Sequence, residues 1–281
     1  MAIRVSEQPK RRARKPRRLR GVTGGSSRIA SGLLAEIGKL LGPLVTDIKD
    51  IVSLVQGGGL SAVAVGAALN SQREKWRKIL GPSIQGIAYR WSKAVSDRDR
   101  LQLERSLAKA LGVETLAIFD DTTVKDTVSL MQEQATALIK TVPEAYFDKV
   151  EQAVFQSYTQ QGLPEGRTLT QEIQHIYAIT YDDAKRIAVD QTNKLHCAVT
   201  QARQTDLGIE KYIWRTARDS RVVGNPAGLY PNGNPKHGNH YAREGKVFRW
   251  DEPPSDGHPG WPIRCRCHAE PVIDYSKLKL S

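Results

Sequence analysis

Two short motifs in the last fifth of the chain carry donors that could hold a metal, His237-Gly-Asn-His240 and Cys265-Arg-Cys267. Imidazoles and thiolates are the usual ligands of structural zinc, which takes four of them in a tetrahedron. His237, His240, Cys265 and Cys267 together would supply such a set, for zinc or another structural ion. The C-x-C pair is more closely spaced than the usual zinc-finger cysteines. On an extended strand over Ile263–His268 both cysteines would share one face, because side chains alternate along a strand. Arg264 and Arg266 would then face solvent or an acidic partner.

A Cys265–Cys267 disulfide is disfavoured, because Cα atoms two residues apart on a strand are roughly 6.5–7 Å apart, at the limit for bridging. Cys197 lies in a predicted helix far upstream, and an odd count of three cysteines makes no disulfide framework. The cysteine usage fits assembly in a reducing cytoplasm. A catalytic reading of the same donors is a metal-dependent nuclease, with Asp219, Asp251 or Asp256 as the carboxylate. Such a site needs an open coordination position and a general base. No Ser-His-Asp, P-loop or Rossmann pattern occurs, and the expectation is a protein that is not an enzyme.

The elements that must position these donors are short. Tyr212–Asp274 holds Trp214, Trp250 and Trp261 among many glycines and prolines, with few aliphatic residues to build a core. A metal, a disulfide or docking onto a larger body would have to fix its shape. Tyr212–Arg215, Lys246–Trp250 and Ile263–Ala269 alternate like strands, which predicts a small three-stranded sheet. Asp219 and Arg221 follow the first strand and read as a turn in which Asp219 accepts backbone N–H bonds.

Upstream the chain reads as helices. Leu33, Ile37, Leu40, Leu41, Leu44, Ile48 and Ile51 recur at spacings of three and four, one apolar face of an amphipathic helix. Gly57-Gly58-Gly59 interrupts it. The uncharged run Ile51–Leu69 is about long enough to cross a bilayer, though its glycines favour a helix pair packed on a partner. Between Ser71 and Gln204 further helices are predicted, with a break at Gly81-Pro82, a stop at Gly112, a new start at Pro143 and another at Tyr181. His175 and His196 sit singly within helices and read as structural.

The net charge is +12. Much of it comes from Lys10, Arg11, Arg12, Arg14, Lys15, Arg17, Arg18 and Arg20. With Pro9 and Pro16 against a helix and only Ala13 and Leu19 to bury, this stretch is expected to stay disordered. Arginines and lysines in that density bind polyanions through counterion release, without reading sequence. No aromatic is interleaved, so stacking on bases is not indicated.

These readings meet in a resemblance. The runs Ala188-Val-Asp190-Gln191-Thr-Asn193-Lys194 and Trp214-Arg-Thr216-Ala-Arg-Asp219-Ser-Arg221-Val222 come first in order. Gly245-Lys246-Val-Phe248-Arg-Trp250, Pro253-Pro254, His258-Pro259-Gly260 and Ile263-Arg-Cys265-Arg266-Cys267 follow. Together they resemble the phage Mu F-like minor head proteins, the head morphogenesis family of tailed bacteriophages. The resemblance implies a virion protein near the portal vertex and inside the head, supporting assembly and DNA packaging or delivery. Its implied partners are the portal protein, the major capsid or scaffold proteins and packaged double-stranded DNA. It also makes Trp214, Asp219, Arg221, Trp250 and His258 structural motif residues. Related domains occur in polymorphic toxins, which leaves a toxin-associated delivery module as an alternative beside the nuclease.

The expected fold class is α+β, mainly helical in its N-terminal and middle regions with a small C-terminal β-containing module. The expected divisions are a basic disordered arm over 1–28, an apolar helical segment over 29–70, a helical body over 71–207 and the Mu F-like module over 208–275.

Overall fold

The computed structural model describes residues 17–19, 23–59, 61–114, 117–119, 122–158, 162–233 and 238–279. Its class is the expected one, mainly helical α+β with a small antiparallel sheet. Among the described residues are four long helices: α1 (Ser27–Gln56), α2 (Ala62–Leu111), α3 (Thr122–Tyr158) and α4 (Leu169–Asp206). The strands are β1 (Arg17–Arg18), β2 (Lys211–Arg215), β3 (Val247–Arg249) and β4 (His268–Ile273).

The chain folds into two units that do not follow chain order. One comprises 26–96 and 128–195, and the other comprises 1–25, 97–127 and 196–281. Helices α2, α3 and α4 each contribute to both. The second unit therefore adds to the expected 208–275 module the ends of three helices and a piece of the N-terminal segment.

The first unit is all helix. The Ser26 side chain caps α1 by accepting the Ile29 N–H at 3.3 Å. Leu33, Ile37, Leu41, Leu44, Ile48 and Ile51 form the buried stripe that their spacing predicts. Cross-links set the helices antiparallel. On α2, Trp76 donates to Asp47 of α1 at 3.0 Å and Arg90 pairs with Glu36. Arg73 pairs with Asp148 of α3, Arg77 with Glu144, and Ser92 donates to Gln132.

The predicted breaks at Gly81-Pro82, Pro143 and Tyr181 do not occur, because α2, α3 and α4 run through them. A proline inside a helix costs about 3 kcal/mol. Here buried side chains lie on both sides, Leu80 and Ile84 around Pro82, Ile139 and Tyr146 around Pro143. Burying each such side chain contributes about 1.5–3 kcal/mol, which outweighs the proline. The uncharged run Ile51–Leu69 is not one span either. Helix α1 ends at Gln56, Gly58 takes φ 68°, and α2 starts at Ala62. Among the described residues helix α1 alone is long and apolar enough to cross a membrane, and its apolar stripe is buried here.

The second unit holds the sheet, in the order β1-β4-β2-β3 with every pair antiparallel. Tyr212 lies opposite Phe248 on one side and Pro271 on the other. The expected third strand is displaced: it spans His268–Ile273, not Ile263–Ala269. The expected strand is interrupted at Arg264, which is left-handed with φ 58° in a turn closed by the Cys265 N–H on the Pro262 carbonyl.

The basic segment is also not disordered throughout 1–28. Arg17 and Arg18 pair with Ile273 and Val272, and the Leu19 N–H donates to the Pro271 carbonyl at 3.1 Å. Leu19 is the apolar residue that anchors it, packed with Leu103, Leu107, Phe119, Leu207, Ile209 and Ile273. Downstream, Arg98 donates to the Gly24 carbonyl at 3.0 Å and the Thr23 hydroxyl at 2.8 Å. Lys10, Arg11, Arg12, Arg14, Lys15 and Arg20 lie outside the described residues, as does His237.

Candidate metal centre

Strand β2 is the platform of the site. Tyr212, Ile213 and Trp214 are all buried, so both faces of the strand are covered. Trp214 is completely enclosed, among Tyr212, Trp250, Cys265, Cys267 and Ala269. This small aromatic and sulfur cluster stands beside the aliphatic cluster around Leu19 in the same unit.

The cysteines reach it from a turn. The Cys265 N–H donates to the Pro262 carbonyl at 2.9 Å, and left-handed Arg264 reverses the chain immediately before Cys265. Residues 265–267 then enter β4. The Gly260 N–H points at the Cys265 sulfur at 3.3 Å. His240 arrives from the opposite loop, where the Tyr241 N–H donates to the Val223 carbonyl at 3.0 Å and a 3-10 turn, Tyr241–Arg243, follows.

Three donors converge. His240 Nδ1 lies 3.6 Å from Cys265 Sγ and 3.6 Å from Cys267 Sγ. All three donor atoms lie within 4.8 Å of one another, and all three residues are buried. Zinc bonds of ~2.3 Å to sulfur and ~2.0–2.1 Å to nitrogen at a tetrahedral angle separate S and N by roughly 3.6 Å. The group can therefore hold a metal ion with little rearrangement.

The layer behind the donors is also in place. His240 Nε2 donates to Asp256 Oδ2 at 3.0 Å, which leaves Nδ1 as the ligand nitrogen. Arg243 Nη1 donates to both oxygens of Asp256, at 2.7 and 3.0 Å, and its guanidinium lies 4.8 Å over the Trp214 ring. Asp256, one of the carboxylates weighed from sequence for the nuclease reading, is thus engaged by both His240 and Arg243.

Electrostatics favour the ligand form at Cys265 and oppose it at Cys267 and His240. Burial works against ionising Cys265, but hydrogen bonds from Cys267, His240 and the Gly260 N–H carry its thiol well below the usual range. Cys267 is pushed up by its hydrogen bond to that sulfur and by burial, while the Trp214 indole favours its thiolate. Burial likewise opposes protonation of His240, yet Cys265 and Asp256 raise it overall. The Cys265 thiolate and a protonated His240 ring stabilise one another, while the Cys267 thiol is held protonated by its neighbour. Binding an ion expels the remaining protons.

Around the centre, charged pairs lock the loops. Arg266 donates twice to Asp219, both at 2.6 Å. Arg266 therefore does not face solvent or a partner as expected of it. Asp219 also accepts the Arg221 N–H at 3.0 Å, the turn its sequence predicts. The Arg266 guanidinium holds its carboxyl below the ordinary carboxylate range, against a smaller opposing effect of burial. Glu244 accepts the Thr216 N–H at 2.7 Å and its hydroxyl at 2.8 Å, and pairs with Arg215 and Arg218. Burial opposes its ionisation, but these donors together hold it at about 2.

The other motif residues are structural in their contacts. Trp250 Nε1 donates to Gln204 at 3.1 Å, and His258 Nδ1 lies 2.8 Å from the Tyr212 hydroxyl. In the helical unit Trp91 Nε1 donates to Thr192 at 2.9 Å and Lys194 pairs with Asp190 at 2.7 Å. Of the sequence-predicted ligands the structure unites His240, Cys265 and Cys267. Arg243 and Glu244 went unnoticed, because a lone arginine and glutamate in a polar loop carry no spacing signal.

No family model matches the chain, and no solved structure does. A protein of Haemophilus influenzae (strain ATCC 51907 / DSM 11121 / KW20 / Rd), described as uncharacterized, is 29% identical over 219 residues. That stretch is 77% of this chain and 45% of the Haemophilus protein, so the chain spans about half of its relative's length.

Proposed function

We propose that the chain is a minor head protein of a tailed bacteriophage, placed near the portal vertex and in the head interior. Its role is in head assembly and in DNA packaging or delivery, and it is not an enzyme. The observation that carries this reading is what the residues of the Mu F-like resemblance are used for. Trp214, Trp250, His258, Cys265 and Cys267 are buried within one unit, and Asp219 and Arg266 pair with each other at its partly exposed edge. A pattern spent on shape belongs to a docking module.

The His240, Cys265 and Cys267 donors would hold zinc, the ion that two thiolates and an imidazole fit best. The nuclease alternative needs a carboxylate free to act as general base. Asp256, Asp219 and Asp251 are each engaged by an arginine. The basic segment before Arg17 would bind packaged DNA without sequence preference. The portal and the capsid or scaffold proteins are the expected protein partners.

The test combines two measurements. Elemental analysis of the full chain should find one zinc per molecule, with no cleavage of duplex DNA. Cross-linking of heads should join the protein to the portal, and heads lacking it should package less DNA. Cleavage that disappears in His240→Ala would replace this reading with the nuclease. Normal DNA-filled heads without the protein would remove the assembly role.

A further inference from the structure

One end of the helical unit is built without charge. The sequence carries no charged residue from 51 to 72, and none from 152 to 164. The fold brings these two runs to the same end. The last turn of α1 meets the first turn of α4, where Thr170 Oγ1 donates to Gln56 Oε1 at 3.0 Å. The start of α2 lies beside the end of α3, because Arg73 pairs with Asp148 and Glu151. Arg73 and Lys75, which pairs with Asp47 of α1, mark the level at which charge stops on α2.

Apolar side chains stand out of this end. Leu54 of α1, Val63 of α2 and Phe155 of α3 are 54%, 83% and 66% exposed. Gly57, Gly58 and Gly59 between α1 and α2 add no polar side chain.

The depth of the uncharged zone says what covers it. At 1.5 Å per residue the uncharged ends of α1, α3 and α2 are about 9, 10 and 16 Å long. A protein partner covers one face and leaves the flanks of each helix in water, where charges are tolerated. Here charge is missing from whole turns of three helices, flanks included. That is the pattern of immersion in a medium that excludes ions from every side. The zone is too short to cross a hydrocarbon core of about 30 Å and matches one leaflet. The α4 corner differs, since Arg167 pairs there with Glu165 and Glu172, and it belongs at headgroup level. The net charge of +12 draws the chain to an anionic leaflet.

We infer that this end of the helical unit inserts into one leaflet of an anionic lipid bilayer, with Leu54, Val63 and Phe155 as the inserted side chains. Apolar insertion and electrostatic attraction act together there, as they do for other proteins that lie in one leaflet. The metal centre takes no part.

The experiment mixes the full chain with vesicles of phosphatidylcholine, with and without phosphatidylglycerol, and sediments them. The chain should bind the anionic vesicles and stay on them in about 1 M salt, where screening leaves only about 3 Å of electrostatic reach. Val63→Asp and Phe155→Asp should each weaken that salt-resistant binding at least about tenfold, the scale of one charge placed in hydrocarbon. Both sites are exposed, so melting should not change. Should either variant melt early, Val63→Ser and Phe155→Ser should show a smaller loss of the same sign.

Binding that vanishes in salt and ignores all four substitutions would overturn the inference, leaving the basic segment as the sole attraction. So would a chain that ignores vesicles but dimerises in the ultracentrifuge until Phe155→Asp is introduced, because a second copy would then cover this end.

Discussion

Asp256 lies behind His240, its Oδ2 3.0 Å from Nε2 on the far side of the ring from both cysteine sulfurs. The carboxylate sets which nitrogen carries the proton, and so which one is left to bind. Removing its charge should leave the fold in place and loosen the ion. We expect Asp256→Asn to lower metal affinity about 10–100-fold, the usual effect of losing such a support. Competition with a chromophoric chelator measures this, and wild-type affinity in the variant would mean that Asp256 does not orient the ligand.

Metal removal is the second prediction. The cluster of Tyr212, Trp214, Trp250 and Ala269 is small, so the ion should carry much of the local stability. Chelation should lower Tm by roughly 10 °C, given the large folding free energy that structural zinc supplies. Cys265→Ser and Cys267→Ser should each reproduce that loss and become insensitive to the chelator. Unchanged melting in both variants would dismiss the metal.

Glu244 predicts a pH dependence. Its folded pKa, about 2, lies below its ordinary value of 4.5. Its stabilisation is therefore complete above about 4.5 and is lost as the pH falls towards 2. Glu244→Gln should cost about 1–2 kcal/mol near neutrality, after allowing for its partial exposure. The gap between variant and wild type should close across that acid window. Denaturant titrations at several pH values would show a constant gap if the Thr216 and arginine contacts did not matter.

The strap at the N-terminus gives a fourth. Leu19→Ala should destabilise the sheet-bearing unit by about 2–4 kcal/mol, as for other buried leucines. Hydrogen exchange would report it as lost protection in β4. A variant as stable as wild type would restore the wholly disordered arm.

The stripe of α1 was legible because apolar side chains at three and four residues leave a helix no other buried face. The prolines at Pro82 and Pro143 misled, since local propensity says nothing of the side chains buried on either side. Tyr212–Arg215 and Val247–Arg249 were readable from aromatic and β-branched alternation. The Cys265–Cys267 loop was not, because its geometry depends on an arginine in a conformation that a sequence assigns to glycine.

Within the centre, ligand types were legible and their support was not. Cys265, Cys267 and His240 stand out as rare residues with metal chemistry. The sequence offers Asp256 as a carboxylate without saying what it would touch, because only the fold places it behind the imidazole. Leu19 was visible as the lone large apolar residue in a basic run. Its depth in the core depends on Phe119, Leu207 and Ile273, which lie far along the chain.

The pairing of Arg17–Arg18 with Val272 and Ile273 sets an order of events on the ribosome. The helical unit has all its parts once Leu195 has emerged. The sheet does not, because its inner strand β4 lies further along the chain. A nascent chain must therefore carry β1 without its partner until β4 has been made. Contacts that close loops this long form slowly. Throughout that interval the positive segment can meet a polyanion before the unit it belongs to has folded.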